Sequence, residues 1–329
     1  MNRRVHRSFS QILLPTLGAV VLLSSCLKEE LPVPTRARGE GRTLDFCLGT
    51  GYQDQLWMDL SAGTIVSTNP KAAWDLAFES APQGWHVMLN GSRMMTSWNM
   101  GPISLAAACD TSGLYAGRRI DAPSGVPDST AIGDWRNAED VYMIDLGYGP
   151  LGEWLGARKL RILSVDQAQY VLQIAELDGA NLHEVEILKD PVRSYASYSF
   201  SQGVLPIEPV IGTWDLVLTQ FTHQFFEPWL PYIVTGVLSA PNTRVAEVHT
   251  SDFANVSLAD TMAHPFSNHR DAIGYDWKTY SFVTSSYTVD PNFVYIVHDA
   301  EGYFHKLRFL DFYGSLGQTG CPRFEVVGL

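Results

Sequence analysis

The chain has 329 residues, 46% of them hydrophobic and 18% charged, enough apolar material to bury a core in each half. That excludes a disordered protein, whose scarce apolar surface could not offset the entropy of ordering. The formal charge is −12, and it becomes −15 once Arg3, Arg4 and Arg7 leave with the leader, so a phosphate backbone is repelled and no nucleic acid is expected as a partner.

The first 25 residues read as a removable lipoprotein signal peptide: a basic start at Arg3, Arg4 and Arg7, then an apolar stretch from Ile12 to Leu23. That stretch is too short for a permanent anchor. It ends Leu22-Leu23-Ser24-Ser25-Cys26, which resembles a bacterial lipobox, so Cys26 is the expected lipidation site. Lys28-Glu29-Glu30 behind it resembles the surface-export signal of Bacteroidetes lipoproteins. Residues 26–43 read as a flexible tether, which would leave the folded part on the outer face of the outer membrane. Export sets an oxidising compartment. Of the remaining Cys47, Cys109 and Cys321, the first two share the first half and are the natural pair; three free thiols are the alternative.

With 27 Gly, 18 Pro, 9 Trp, 14 Tyr and 15 Phe, the composition favours short strands and many turns. Trp57-Met58-Asp59-Leu60 reads as a strand and Ser61-Ala62-Gly63 as its turn. Trp74 to Phe78 reads as a strand buried on both faces. Thr111 to Ala131 reads as a long loop, and Val141 to Leu146 as a strand. Val165 to Leu177 is one long strand or a strand pair. Asp299-Ala300-Glu301-Gly302 is a hairpin turn. The best helical candidates are Leu151 to Leu160 and Ser257 to Ala263.

The chain also repeats itself. Trp57 to Gly63 followed by Trp74-Asp75-Leu76 answers Tyr198 to Gly203 followed by Trp214-Asp215-Leu216, with Gly63 and Gly203, and Trp74 and Trp214, each 140 positions apart. Ile132-Gly133-Asp134-Trp135 answers Ile273-Gly274-Tyr275-Asp276-Trp277, Val141-Tyr142 answers Val294-Tyr295, and Lys159-Leu160-Arg161 answers Lys306-Leu307-Arg308. The expected fold is therefore mainly β: two tandem, similar antiparallel β domains from an internal duplication, residues 44–180 and 181–329, with few short helices.

Several landmarks of the second copy resemble the HmuY-like family, haem-binding lipoproteins of Bacteroidetes with a mostly β fold. They are Gly212-Thr213-Trp214-Asp215-Leu216, Ile273 to Tyr280, Tyr287 to Asn292, Val294 to Val297, and Gly302 to Phe309. The first copy carries the resemblance only through the internal match. The resemblance implies a surface protein holding haem or a related tetrapyrrole non-covalently between two axial side chains, His or Met, for iron acquisition. It also implies an outer-membrane TonB-dependent receptor as a further partner.

The window in which the family carries its ligands holds His223, His249, Met262, His264 and His269. His249, His264, His269 and Met262 are the expected cofactor-binding residues, with His249 and His264 on the iron. Neutral imidazole and thioether both ligate haem iron. His223 is expected to pack beside Phe221, Phe225 and Phe226. The position just after the family signature holds Thr279-Tyr280-Ser281-Phe282, without a His. In the first copy, His86, Met88, Met94, Met95 and Met100 crowd together and are expected to be core filler. Asp75 and Asp215, each behind a Trp, are expected to cap turns.

No Walker loop, HExxH or GxSxG occurs and no acid/base pair can be built, so an enzyme is not expected. The alternative to haem is a surface module for glycan, peptide or protein, carried by exposed aromatics such as Trp85, Trp98, Trp154 and Trp229.

Overall fold

Short apolar runs separated by left-handed turn residues give twenty strands in the computed structural model, which describes residues 40–112 and 114–329. The signal peptide, the lipidation site at Cys26 and most of the tether lie outside the described residues. In chain order the strands are β1 (Arg42–Asp45), β2 (Asp54–Asp59), β3 (Thr64–Pro70), β4 (Leu76–Glu79), β5 (Val87–Leu89), β6 (Thr96–Asn99), β7 (Tyr142–Asp145), β8 (Ala157–Val165), β9 (Gln169–Ala175) and β10 (His183–Leu188). There follow β11 (Tyr195–Ser199), β12 (Gly203–Leu205), β13 (Leu216–Phe226), β14 (Trp229–Ser239), β15 (Arg244–His249), β16 (Lys278–Ser281), β17 (Ser286–Val289), β18 (Phe293–His298), β19 (Phe304–Tyr313) and β20 (Thr319–Gly328).

The fold is mainly β, with antiparallel pairing throughout the named strands. Sheets β10-β9-β8-β7-β6 and β12-β11-β4-β5 enclose one core, built around Leu76, Phe78, Trp135, Tyr142 and Tyr170. Sheets β1-β20-β19-β18-β15 and β14-β13-β2-β3 enclose a second, built around Leu216, Leu218, Trp277, Tyr295 and Phe309. The two four-stranded sheets turn their other faces together. Leu76 and Phe78 point into the first core while Ala77 faces away; Leu216 and Leu218 point into the second while Val217 faces away, as a period of two requires. Trp57, Trp74, Ile207, Trp214 and Val217 fill this middle layer.

The two sandwiches do not correspond to residues 44–180 and 181–329 taken whole. The place expected for the boundary lies in the turn between β9 and β10, which pair across it. Strands β10, β11 and β12 complete the first sandwich, and β1, β2 and β3 complete the second. The strand orders correspond place by place, with β1–β3 standing where β10–β12 stand. The Asp75 N–H donates to the Tyr198 carbonyl at 2.7 Å, and the Asp215 N–H donates to the Met58 carbonyl at 2.7 Å. The Phe200 N–H donates to Asp75 Oδ2 at 2.7 Å, and the Leu60 N–H to Asp215 Oδ2 at 2.9 Å. Each aspartate thus fastens a hairpin that comes from the opposite part of the chain, the structural role expected of the pair.

Other local expectations divide. Val165 to Leu177 is neither one long strand nor a pair: Val165 ends β8, Asp166 opens the turn by accepting the N–H groups of Ala168 and Gln169, and the single strand β9 follows. Ser257 caps a short 3-10 turn, Leu258–Met262. Leu151 to Leu160 is not a helix. Gly152 and Gly156 take φ of +80° and +86°, and Trp154 bridges back to Tyr148 before β8 begins. The expected Cys47–Cys109 pair is also corrected. Cys47 bonds Cys321, because β1 lies antiparallel to β20 and the Leu48 N–H reaches the Gly320 carbonyl, while Cys109 is free.

Loops close the outer faces, and buried lysines hold them. Lys159 on β8 donates to the carbonyls of Leu105 and Ala107; Lys306 on β19 donates to those of Phe253, Ala254 and Val256. Both ammonium groups spend their donors on carbonyls that β pairing leaves free, which compensates their burial.

Candidate functional site

Edge strands β14 and β15 and the segment 250–277 between β15 and β16 frame the expected ligand window. Val237 on β14 bridges to Gly274, and Val245 on β15 bridges to Ser267, so the segment is stitched along both edges. Gly274 has φ +60°, and a Cβ on Gly236 would stand 2.2 Å from the Gly274 carbonyl oxygen, so both glycines permit this close approach.

His249 ends β15, exposed, with its ring edge-on to Phe293 at 5.1 Å. Met262 ends the 3-10 turn and is 93% exposed. His264 is half-buried, its N–H on the Asp260 carbonyl. His269 is exposed, its N–H on Ser267 Oγ. Among the described residues no hydrogen bond, ion pair or ring contact joins any two of these four.

What does gather is a wider ring of imidazoles and acids. Asp271 is lowered by the charges of both His269 and His223 but raised overall, burial being the larger cause. Asp276 acts on His223 and on Glu247, and His249 also acts on Glu247. These groups feel one another's charge, yet no cluster of three or more among the described residues could hold a bare metal ion.

His223 is the remaining histidine of this window. It lies on the long β13–β14 hairpin, half-buried, with Phe225 at 4.8 Å and Tyr275 at 4.9 Å. Burial lowers its pKa, which favours the neutral imidazole that a metal requires. The packing beside Phe225 was legible; the approach of Tyr275, from the far end of the segment, was not. The hairpin tip beyond it is apolar and open, with Phe226 75%, Trp229 55% and Tyr232 56% exposed. Arg118 lies over the Trp229 ring at 5.6 Å. A flat aromatic ligand could stack here with an imidazole beside it, so the residues present fit haem in kind.

The remaining candidates sort by burial. Trp154 and Trp229 are exposed, but Trp98 is buried and Trp85 lies half-buried beneath Arg136. Those two cannot serve as open contact residues. His86 is held by Glu79, Nδ1 to Oε2 at 2.6 Å, and Met95 is in the core, in line with a packing role.

The sequence matches the model of the HmuY protein family over residues 51–326. The chain belongs to the HmuY family. No curated protein matches it. Among solved structures, the HmuY-family chain is similar to apo PinO from Porphyromonas gingivitis at 8% identity and a TM-score of 0.33, covering 88% of this chain and 96% of the other. It is similar to the apo HmuY analog TFO of Tannerella forsythia at 11% identity and a TM-score of 0.23, over 52% and 95%. A protein of Bacteroides vulgatus ATCC 8482 assigned as HmuY-like and heme-binding stands at 13% and 0.23, over 51% and 90%. The assignment of this chain to the HmuY family rests on the sequence match alone.

Proposed function

We propose that this protein is a cell-surface lipoprotein that binds haem or a related tetrapyrrole non-covalently for iron acquisition. The observation that carries the reading is the family match over residues 51–326. The protein acts by binding and not by catalysis. It is anchored in the outer membrane by lipid on Cys26 and passes its ligand to a TonB-dependent receptor. The iron ligands come from His249, His264, His269 and Met262, with His223 added by its neutral, aromatic-flanked position. Residues 44–180 and 181–329 are copies of one unit.

The test is an absorption titration of the folded protein with haemin, under oxidising and reducing conditions. A saturable Soret shift is expected, and single alanine variants of His223, His249, His264 and His269 should identify the ligand pair by altering it. No spectral change in either redox state overturns the reading.

A second reading is a surface module for glycan, peptide or protein. The open row Phe226, Trp229 and Tyr232 at the hairpin tip favours it. Partner capture that survives replacement of all four histidines but fails in Trp229→Ala would select it.

A further inference from the structure

Two hairpins end in apolar residues left open to solvent. The β13–β14 tip carries Phe226, Trp229 and Leu230, all exposed. The β16–β17 turn carries Phe282 and Val283, 89% and 96% exposed. Both tips lie towards the same end of the molecule. Lys278, at the root of β16, donates to the Thr235 carbonyl on β14 at 2.5 Å. Tyr287, paired with Tyr280 further out, is raised by burial and then by the neighbouring Tyr232 and Tyr280. The short hairpin therefore runs along β14 from Thr235 towards Trp229. Tyr232 and Tyr280 stand in one layer, and the tips stand beyond it.

The chain is 18% charged, yet residues 228–243 and 279–289 contain no Asp, Glu, Lys or Arg. The β16–β17 tip also satisfies its own polar groups. Ser281 Oγ accepts the Thr284 N–H at 3.3 Å, and the Thr284 and Ser286 hydroxyls hydrogen-bond at 2.8 Å. Water can leave such a tip at small cost, because its hydroxyls keep partners. On the other tip Glu227 is the one charged side chain of residues 226–232, and Arg118 lies over the Trp229 ring at 5.6 Å. One charge of each sign thus stands beside the apolar points. Phenylalanine and leucine in front, with tyrosines behind, is the order in which a bilayer interface takes side chains. A protein partner needs a matching face. Two separate prongs present points, and a fluid lipid surface closes around points.

We propose that these two tips insert together into the headgroup region of a zwitterionic phospholipid surface, with Phe226, Trp229, Phe282 and Val283 reaching the acyl boundary. Glu227 limits the depth, since a carboxylate stays with the headgroups. The net charge of −12 selects the lipid: an anionic surface repels this chain and a zwitterionic one does not. The contact needs neither lipid on Cys26 nor the histidines of the ligand window.

Residues 40–329 hold all twenty strands, both cores and the Cys47–Cys321 bond, and exclude Cys26. A chain of these residues, free of haemin, is sedimented with phosphatidylcholine vesicles. Saturable co-sedimentation is expected, and brominated phosphatidylcholine should quench the share of tryptophan emission that Trp229→Phe removes. Phe282→Ser combined with Val283→Ser should weaken binding at least tenfold, as should Trp229→Ser. Leu151→Ser, at an equally exposed leucine of the first sandwich, should leave binding unchanged. So should replacement of His223, His249, His264 and His269, which lets haemin binding and lipid contact fail separately. Melting curves establish that the protein and each variant are folded. Absence of co-sedimentation, binding that requires an anionic lipid, undiminished binding by the tip variants, or an equal loss in Leu151→Ser overturns the proposal.

Discussion

The Asp215 carboxylate accepts the Leu60 N–H at 2.9 Å across a separation of 155 positions, and so locks the β2–β3 hairpin to the segment that leads into β13. Its other oxygen takes the Ala300 N–H at 3.4 Å. Asp215→Ala would leave the buried Leu60 donor unmet. The expected cost is about 1–3 kcal/mol, read as a lower urea midpoint with an unchanged slope. Asp75→Ala should cost more, because it also strips the buried Arg93 guanidinium of its ion pair.

The same carboxyl makes stability depend on pH. Burial pushes Asp215 up to about 6 from its ordinary 3.8, against the opposing Leu60 hydrogen bond. The folded state therefore holds the proton more tightly than the unfolded chain. This group's contribution is fully present below the unfolded value and is lost as pH rises through about 6. Asp215→Asn cannot titrate. The stability difference, wild type minus variant, should therefore be larger at pH 4.5 than at pH 7, by about 1–2 kcal/mol. Urea unfolding of the two proteins at both pH values decides it; an equal difference contradicts the prediction.

The Cys47–Cys321 disulfide closes nearly the whole described chain, with a separation of 274 positions. Cross-links of long loops restrict the unfolded ensemble most, and losing one typically costs about 2–5 kcal/mol. Cys321→Ser should lower the melting temperature. Reductant should bring wild type to the same value and leave the variant unmoved, and Cys109→Ser should melt like wild type.

Lys306 should matter more to a loop than to the fold. Lys306→Met keeps much of the buried stem but removes the donors to Phe253, Ala254 and Val256. Amide hydrogen exchange should accelerate around residues 253–266 with little change in β18 and β20. Lys159→Met should do the same around residues 103–107. If exchange rises evenly over the whole protein, the lysines serve the cores and not the loops.

Much of this architecture was legible in the sequence. Trp135 and Trp277 are large, apolar and preceded by a left-handed glycine, Gly133 and Gly274, so a buried place for each could be read, and each is buried in its own core. Asp75 and Asp215, each behind a Trp, could be read as structural. What could not be read was which strand each aspartate would meet. Local pattern marks a strand at Trp57 to Asp59, and β3 pairs with it across its own turn, yet its other partner, β13, lies far along the chain, and pairing between distant segments leaves no short-range signal. The Cys47–Cys321 bond is invisible until β1 is known to lie against β20. Trp98 was misread as open because an aromatic on a short strand is exposed or buried according to the loop laid over it, and here residues such as Met100 cover it. Among the candidate ligands, His249, His264 and His269 are conspicuous as residue types, while the setting of His223 depends on Tyr275 arriving from the far end of the segment.

The crossing of β1–β3 into the second sandwich sets an order of assembly. Strands β4 to β12 are contiguous, so the first sandwich has all its pieces as soon as β12 has been synthesised. The opening hairpin, with Trp57, Met58 and Leu60, has no partner until β13 follows. At ordinary translation speeds that interval is on the order of ten to thirty seconds. A nascent chain must therefore carry a greasy leading end ahead of its finished centre, and any fragment that stops before Leu216 would expose that end permanently, a ready substrate for chaperones and proteases.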